Sequence, residues 1–144
     1  MYKSKDYRSS IIDVLGGLVP KEIFRGRDDL LVILDNESDI EDLQPDFALL
    51  KKIPLRGIIV SAPSSEFDFV SRCFFPSTGV DEDPVTGSAH TTLTPYWSKR
   101  LNKKKLRAKQ VSQRGGLLTC EDADERVFIG GKAVLYMIGS IHLT

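Results

Sequence analysis

Between Phe75 and His90 the chain gathers three carboxylates (Asp81, Glu82, Asp83), four hydroxyls (Ser77, Thr78, Thr86, Ser88), two prolines, two glycines and a histidine. Thr86-Gly87-Ser88 stands where an apolar helical stripe begins. A helix start at that point presents backbone N–H groups with no intrahelical acceptor, together with the positive end of the helix dipole, and both favour an anion. Gly87 lets a ligand approach the backbone closely, and the amides of Ser88 and Ala89 extend the cradle. Asp83 lies five residues before Ser88, close enough to face the cradle across a tight turn. A carboxylate beside an anion cradle can transfer a proton or orient a substrate. The same residues also fit a simpler arrangement, in which Ser88 or Thr86 caps the helix and Asp83-Pro84 makes a turn.

Other residues are candidates with equally plain alternatives. His90, one turn into the helix, is either an acid–base group or a hydrogen-bonded support. Arg72, on a strand just ahead of the loop, can hold a substrate carboxylate or make a surface ion pair. Cys73 and Cys120 read as small core hydrophobes, since nothing near them in sequence favours a thiolate. Gln113-Arg114-Gly115-Gly116 is a turn that could approach a ligand. No metal-binding motif, P-loop or dinucleotide fingerprint is present.

These residues need a strand before them and a helix after them, and the pattern supplies both. Ala89, Leu93, Tyr96, Trp97 and Leu101 follow at spacings of four, three, one and four, a single helical stripe. Pro95 inside it predicts a kink or a shortened first segment. Arg56–Ala62 and Phe67–Phe75 read as strands, with Phe67, Phe69, Ser71 and Cys73 on one face of the second and Asp68, Val70, Arg72 and Phe74 on the other. Tyr7–Leu15 reads as a helix stopped by Gly16-Gly17. Lys21–Arg25 and Leu30–Leu34 read as a hairpin, and Pro45-Asp46 opens a short helix. Leu106–Ser112, Leu117–Glu121, Arg126–Gly130 and Lys132–Ile138 are four further strand candidates. The expected architecture is one α+β domain over residues 1–144, an antiparallel or mixed sheet wrapped around the central helix that begins near Ser88.

Composition narrows the function classes. With 144 residues, 41% of them hydrophobic, the chain can build one core. Twenty basic residues balance twenty acidic ones, which removes a global drive toward nucleic acid or an anionic membrane. The charges are nevertheless segregated: eight acids and no base lie between Asp28 and Asp46, and eight bases and no acid between Pro84 and Cys120. Such single-sign runs ordinarily face water. No aromatic residue interleaves with the lysine run at Lys99–Lys109, so nucleic acid is not an expected partner. No run of about 18 apolar residues occurs, so no membrane span is expected. The charged start lacks the apolar core of a secretory signal, and two cysteines make neither a disulfide framework nor a zinc site, so the cytoplasm is the default location.

Arg72-Cys73-Phe74-Phe75-Pro76, followed by Gly79-Val80-Asp81-Glu82-Asp83-Pro84-Val85-Thr86-Gly87-Ser88-Ala89-His90, resembles the signature of the phenazine-biosynthesis (PhzF-like) family. The flanks agree: Pro45-Asp46-Phe47 and Arg56-Gly57 before it, then Gln110-Val111-Ser112-Gln113-Arg114-Gly115-Gly116, Arg126-Val127 and Gly130 after it. The resemblance covers almost the whole chain. It implies the diaminopimelate epimerase-like fold, two similar domains with the active site in the cleft between them. It matches Asp83 to the family's active-site aspartate and Ser88 to its active-site serine, with Gly87, Ala89, His90 and Arg72 as substrate-binding candidates. Because Ser88 occupies the motif position and Cys73 lies elsewhere, the two-cysteine racemisation of the family's relatives is disfavoured. The family's principal proton-transferring glutamate belongs to the first domain, with a histidine in a Gly-His-Ala-Thr motif. Neither motif occurs here, so the resemblance marks this chain as the second half.

The implied activity is that of an isomerase, or half of one: acid–base proton transfer on a small, anionic, carboxylate-bearing metabolite, without metal or cofactor. The alternative is a non-catalytic binding or partner module that keeps the anion site, and the missing glutamate is what separates the two. Surface uncovered by the absent half predicts a partner, either a second copy in a homodimer or a separately encoded first half.

Overall fold

The computed structural model describes residues 1–142. The elements in chain order are β1 (Tyr2–Lys3), α1 (Arg8–Val14), β2 (Glu22–Arg25), β3 (Asp29–Ile33), α2 (Glu37–Glu41), α3 (Phe47–Leu50), β4 (Gly57–Pro63), β5 (Phe69–Phe75), β6 (Val80–Asp83), α4 (Gly87–Leu101), β7 (Lys105–Gln110), β8 (Gly116–Ala123) and β9 (Arg126–Gly130). A short 3-10 turn, Pro76–Thr78, links β5 to β6. The nine strands form one mixed, mostly antiparallel sheet in the order β1-β2-β3-β4-β5-β7-β8-β9, with β6 paired to β5 off this path. Only β3–β4 and β5–β7 pair in parallel. A parallel pair requires a crossover connection. Helices α2 and α3 make the first, and β6 with α4 makes the second.

Period-2 alternation sorts the central strands between two cores. Leu30, Val32, Ile58, Val60, Val70 and Phe74 meet α1, α2 and α3 on one face. Leu31, Ile33, Ile59, Phe69 and Cys73 turn to the other face and meet Ala89, Leu93 and Trp97 of α4. Leu106 and Ala108 of β7, with Leu118 and Cys120 of β8, close the second core from the far side. The sheet therefore curves around α4, as the helical stripe predicts. The Trp97 indole donates to Ser61 Oγ at 3.0 Å, and that hydroxyl donates to the Val70 carbonyl at 2.6 Å, fixing the middle of α4 to the centre of the sheet. Pro95 is accommodated on the exposed side of α4, which runs unbroken to Leu101.

Four features differ from the sequence expectation. Leu101, assigned to the buried stripe, is 40% exposed because the last turn of α4 runs past the sheet. Helix α2 forms inside the acidic run, where Glu37 and Asp39 in its first turn favour the helix dipole and Ile40 is its one buried side chain. Strand β6 was hidden by its acidic composition. Lys132–Ile138, expected as a strand, pairs with nothing among the described residues, so its backbone has no ladder to join. No helix among the described residues is long and apolar enough to cross a membrane.

Leu93 is fully buried between α4 and the sheet, so Leu93→Ala should lower stability by about 2–5 kcal/mol. Leu101→Ala should change it by no more than about 0.5 kcal/mol. Urea unfolding of the two variants beside the parent chain checks both values.

Candidate active site

Strand β6 folds back along β5 with a register shift between Cys73 and Phe75, which sets Asp83 opposite Cys73. Pro84 and Val85 then turn the chain into α4, with Thr86 at the N-cap in an extended conformation. This return brings Asp83 against Thr86, whose hydroxyl donates to Asp83 Oδ2 at 2.7 Å. Gln110, buried at the end of β7, holds both residues. Its Oε1 accepts from the Thr86 amide at 2.8 Å, and its Nε2 donates to the Asp83 carbonyl at 2.6 Å and to Thr86 Oγ1 at 3.1 Å. Ser112 Oγ donates to the Pro84 carbonyl at 2.7 Å and accepts from the Gly115 amide at 3.1 Å. The 110–116 turn is therefore a frame for the loop.

Helix α4 carries no side-chain cap, because the Thr86 hydroxyl is committed to Asp83. The first-turn amides of Gly87, Ser88 and Ala89 thus keep no side-chain acceptor, and the cap arrangement that the sequence also allowed is not adopted. Gly87 and Ser88 are exposed, and a Cβ built at Gly87 would meet nothing within 4 Å, so the cradle is open. Beside Ser88 a polar cleft of about 270 Å³ extends past Thr91 and Thr92 to Asp28, Asp29 and Arg56. Arg56 grips Asp29 through Nε at 2.8 Å and through Nη2, and its guanidinium lies 4.9 Å from the Phe75 ring centroid.

His90 and Arg72 lie away from this opening. His90 is fully buried under the helix start, with Nδ1 2.7 Å from the Thr86 carbonyl, which fixes the proton on Nδ1. Its Nε2 is buried without a partner among the described residues. Burial pushes the imidazole pKa down, against the opposing pull of the Thr86 carbonyl, so His90 supports the cradle as a neutral ring. Arg72 points to the opposite face of the sheet from α4. Its Nε and Nη2 pair with Glu82 at 2.7 and 2.9 Å, and its Nη1 donates to the carbonyls of Ile40 and Leu43 at 3.2 and 2.6 Å. The same ion pair turns Glu82 away, and Asp81 lies 3.9 Å from Lys51, which leaves Asp83 as the carboxylate tied to the cradle. Burial, with the nearby charge of Asp83 adding to it, raises the Cys73 thiol to about 12. It is a thiol at neutral pH. Gln110, Ser112 and Arg56 are the residues that sequence reasoning missed as parts of the site. The Gln-Val-Ser-Gln-Arg-Gly-Gly flank and the Arg-Gly pair were the signals that could have found them.

Sulfate should bind the cradle weakly and shift the amide resonances of Ser88 and Ala89 at millimolar concentration. Asp83→Asn, by removing the nearby like charge, should tighten it severalfold. No shift in either protein would mean a plain helix start. His90 gives a second expectation. Its folded pKa lies below the ordinary 6.5, so only the unfolded chain takes up that proton between pH 6.5 and the folded value. Stability is unaffected by this group above pH 6.5 and falls below it, with a limiting slope of about 1.4 kcal/mol per pH unit. The difference in urea midpoint between pH 7.5 and 5.5 should shrink in a His90→Gln variant.

Residues 3–139 match the model of the phenazine biosynthesis-like protein family. An uncharacterized isomerase of Pseudomonas aeruginosa is 54% identical over 127 residues, covering 88% of this chain and 49% of the relative. A phenazine biosynthesis-like domain-containing protein of Mus musculus is 44% identical over 126 residues, covering 78% of this chain and 44% of the relative. Among solved structures, a PhzF-family protein of Enterococcus faecalis superposes with a TM-score of 0.84 at 47% identity, covering 93% of this chain and 51% of that one. A PhzC/PhzF protein of Clostridium difficile gives 0.85 at 41% identity, covering 99% and 54%. The chain spans about half the length of the relatives it matches. With the Asp-Pro-Val-Thr-Gly-Ser loop set against an uncapped central helix, and with this match across nearly all of its residues, the chain belongs to the phenazine biosynthesis-like, or PhzF, family.

Proposed function

We propose that this chain supplies one wall of an isomerase cleft that moves a proton on a small carboxylate-bearing metabolite. The observation that carries the reading is the uncapped start of α4 with Asp83 tied to it through the Thr86 hydroxyl. The amides of Gly87, Ser88 and Ala89 bind the substrate carboxylate, aided by the helix dipole by about 0.3–1 kcal/mol. Ser88, exposed and lining the cleft, adds a hydroxyl contact. Asp83 keeps one carboxylate oxygen beyond the Thr86 bond, and it orients the substrate or exchanges a proton with it. Gln110 and His90 hold the loop and the helix start in place without touching substrate.

The base that removes the proton comes from the other half of the cleft, to which the family resemblance assigns a glutamate. A C–H bond breaks, its proton passes to that carboxylate, and a new C–H bond forms at another carbon. No oxidant or reductant is consumed. The isomerase names of the Pseudomonas relatives support the same class of reaction.

Deuterium uptake from D₂O into a panel of small unsaturated and amino carboxylates tests the reading. Exchange should be absent with this chain alone and should appear when it is co-expressed with the unmatched half of the Enterococcus faecalis relative. Asp83→Asn should lower the co-expressed rate by about 10²–10⁴-fold, the usual contribution of a positioned acid–base group. No exchange into any compound by either preparation would sink the proposal.

A further inference from the structure

Three fully buried side chains between α4 and the sheet each carry a polar atom with no hydrogen-bond partner among the described residues: His90 Nε2, Thr94 Oγ1 and Ser71 Oγ. Buried polar atoms in folded proteins are satisfied in the great majority of cases, by protein or by ordered water. The fold places these three together. His90 and Thr94 are four residues apart, one above the other on the inner face of α4. Ser61, Ser71 and Gln110 stand side by side across β4, β5 and β7. The ends of that row touch the helix at Trp97, through Ser61, and at Thr86, through Gln110. Helix α4 thus crosses the row obliquely, and Ser71 in its middle faces the stretch that holds His90 and Thr94. Phe69, two residues from Ser71 on the same strand face, has its ring centroid 5.9 Å from that of His90.

Chemistry and room specify what joins them. His90 Nδ1 carries the ring proton, held at the Thr86 carbonyl, so Nε2 can only accept. Both hydroxyls can donate or accept, and neither reaches the ring. Ser71 is the smallest residue on the α4 face of β5, between Phe69 and Cys73. Ala108 on the neighbouring strand is also small, which leaves a gap beneath the helix. The Cys120 thiol lies beside Thr94 and is a weak partner for it. A water molecule completes the set. One of its O–H groups donates to Nε2 and the other to one hydroxyl, while the second hydroxyl donates to the water oxygen. About three bonds to otherwise unsatisfied buried groups is the usual complement of an internal water.

We infer that Ser71, His90 and Thr94 bind an internal water, which fixes His90 in the Nδ1–H tautomer and so holds the Thr86 carbonyl at the helix start. His90 is then a positioning residue that acts through Thr86. Confining the water costs it freedom, so this buried seam remains a net cost to the fold. Unfolding equilibria and ring spectra test the inference without reference to turnover, so its failure would leave the isomerase reading standing. Thr94→Val keeps the shape of the side chain and removes one partner of the water. It should raise the unfolding equilibrium constant about fivefold or more. A hydroxyl that is simply unsatisfied gives the opposite sign, because its removal relieves a desolvation cost. Combined with Ser71→Ala, the effect should fall about threefold or more short of the product of the single effects, since both substitutions disturb the same water. Ser4, another buried hydroxyl without a partner among the described residues, follows β1 at the sheet edge, so Ser4→Ala and Thr94→Val should simply multiply. Nitrogen-15 spectra of the His90 ring should show Nε2 as a hydrogen-bonded acceptor in the parent chain and in Thr94→Ser, which keeps the hydroxyl. In the chain with both Ser71→Ala and Thr94→Val, Nε2 should move to the position of a free acceptor. The inference is overturned if Thr94→Val stabilises the chain, if its effect and that of Ser71→Ala multiply, or if Nε2 reads as free in the parent chain.

Discussion

The Thr86 hydroxyl has one proton, and where it goes decides what the start of α4 can do. Gln110 Nε2 donates to the Thr86 oxygen, so the hydroxyl proton turns to Asp83. A threonine at an N-cap would ordinarily use its oxygen to accept from the helix's own amides. Here that oxygen is engaged elsewhere, and the amides remain available. Forgoing a cap costs roughly 0.5–2 kcal/mol. The surrounding fold offsets it through the two apolar cores that clamp the sheet. The unpartnered Nε2 of buried His90 adds a cost of about 1–3 kcal/mol at the same place. The helix start thus carries a desolvation cost, and the unpartnered buried hydroxyl of Thr94 adds another in the middle of α4.

The two faces of the sheet divide the labour. On the α1–α3 face, Arg72 gathers the end of α2 and strand β6 into one charged cluster, which holds the acidic loop in place and removes Glu82 from the cleft. On the α4 face, Trp97 and Ser61 fix the helix axis, and Gln110 fixes its start. Asp83 lies at the junction of the two systems. Its backbone belongs to β6 and its side chain to the helix start, so displacement of either system moves the carboxylate.

Much of this was legible in the sequence. The stripe of Ala89, Leu93 and Trp97 gave the buried helix, and alternation in Phe67–Phe75 correctly divided Cys73 from Arg72. Faces were readable because a strand's period fixes them. What lies beyond a face was not: Arg72 was assigned toward substrate, although its own parity already set it with Val70 and Phe74. Gln110 stayed hidden because its role depends on the parallel pairing of β7 with β5, a contact between segments far apart in sequence. Strand β6 and helix α2 were masked by acidic composition, where long-range pairing and a single apolar anchor outweighed the solvated look of the run. Lys132–Ile138 carries a strand's composition without a strand's neighbours. Local pattern specifies the need for a ladder and is silent about where the ladder is.

Gly116 packs against the site loop so closely that a Cβ there would come within 2.3 Å of Val85 Cγ2. The space a side chain at 116 would need is filled by Val85, thirty-one residues away in sequence. During divergence the pair is therefore constrained as a sum. A side chain gained at 116 has to be matched by loss of branching at 85, or Asp83 and Thr86 are carried away from Gln110 with the displaced loop. Homologous sequences should record this as covariation between a turn glycine and a loop valine.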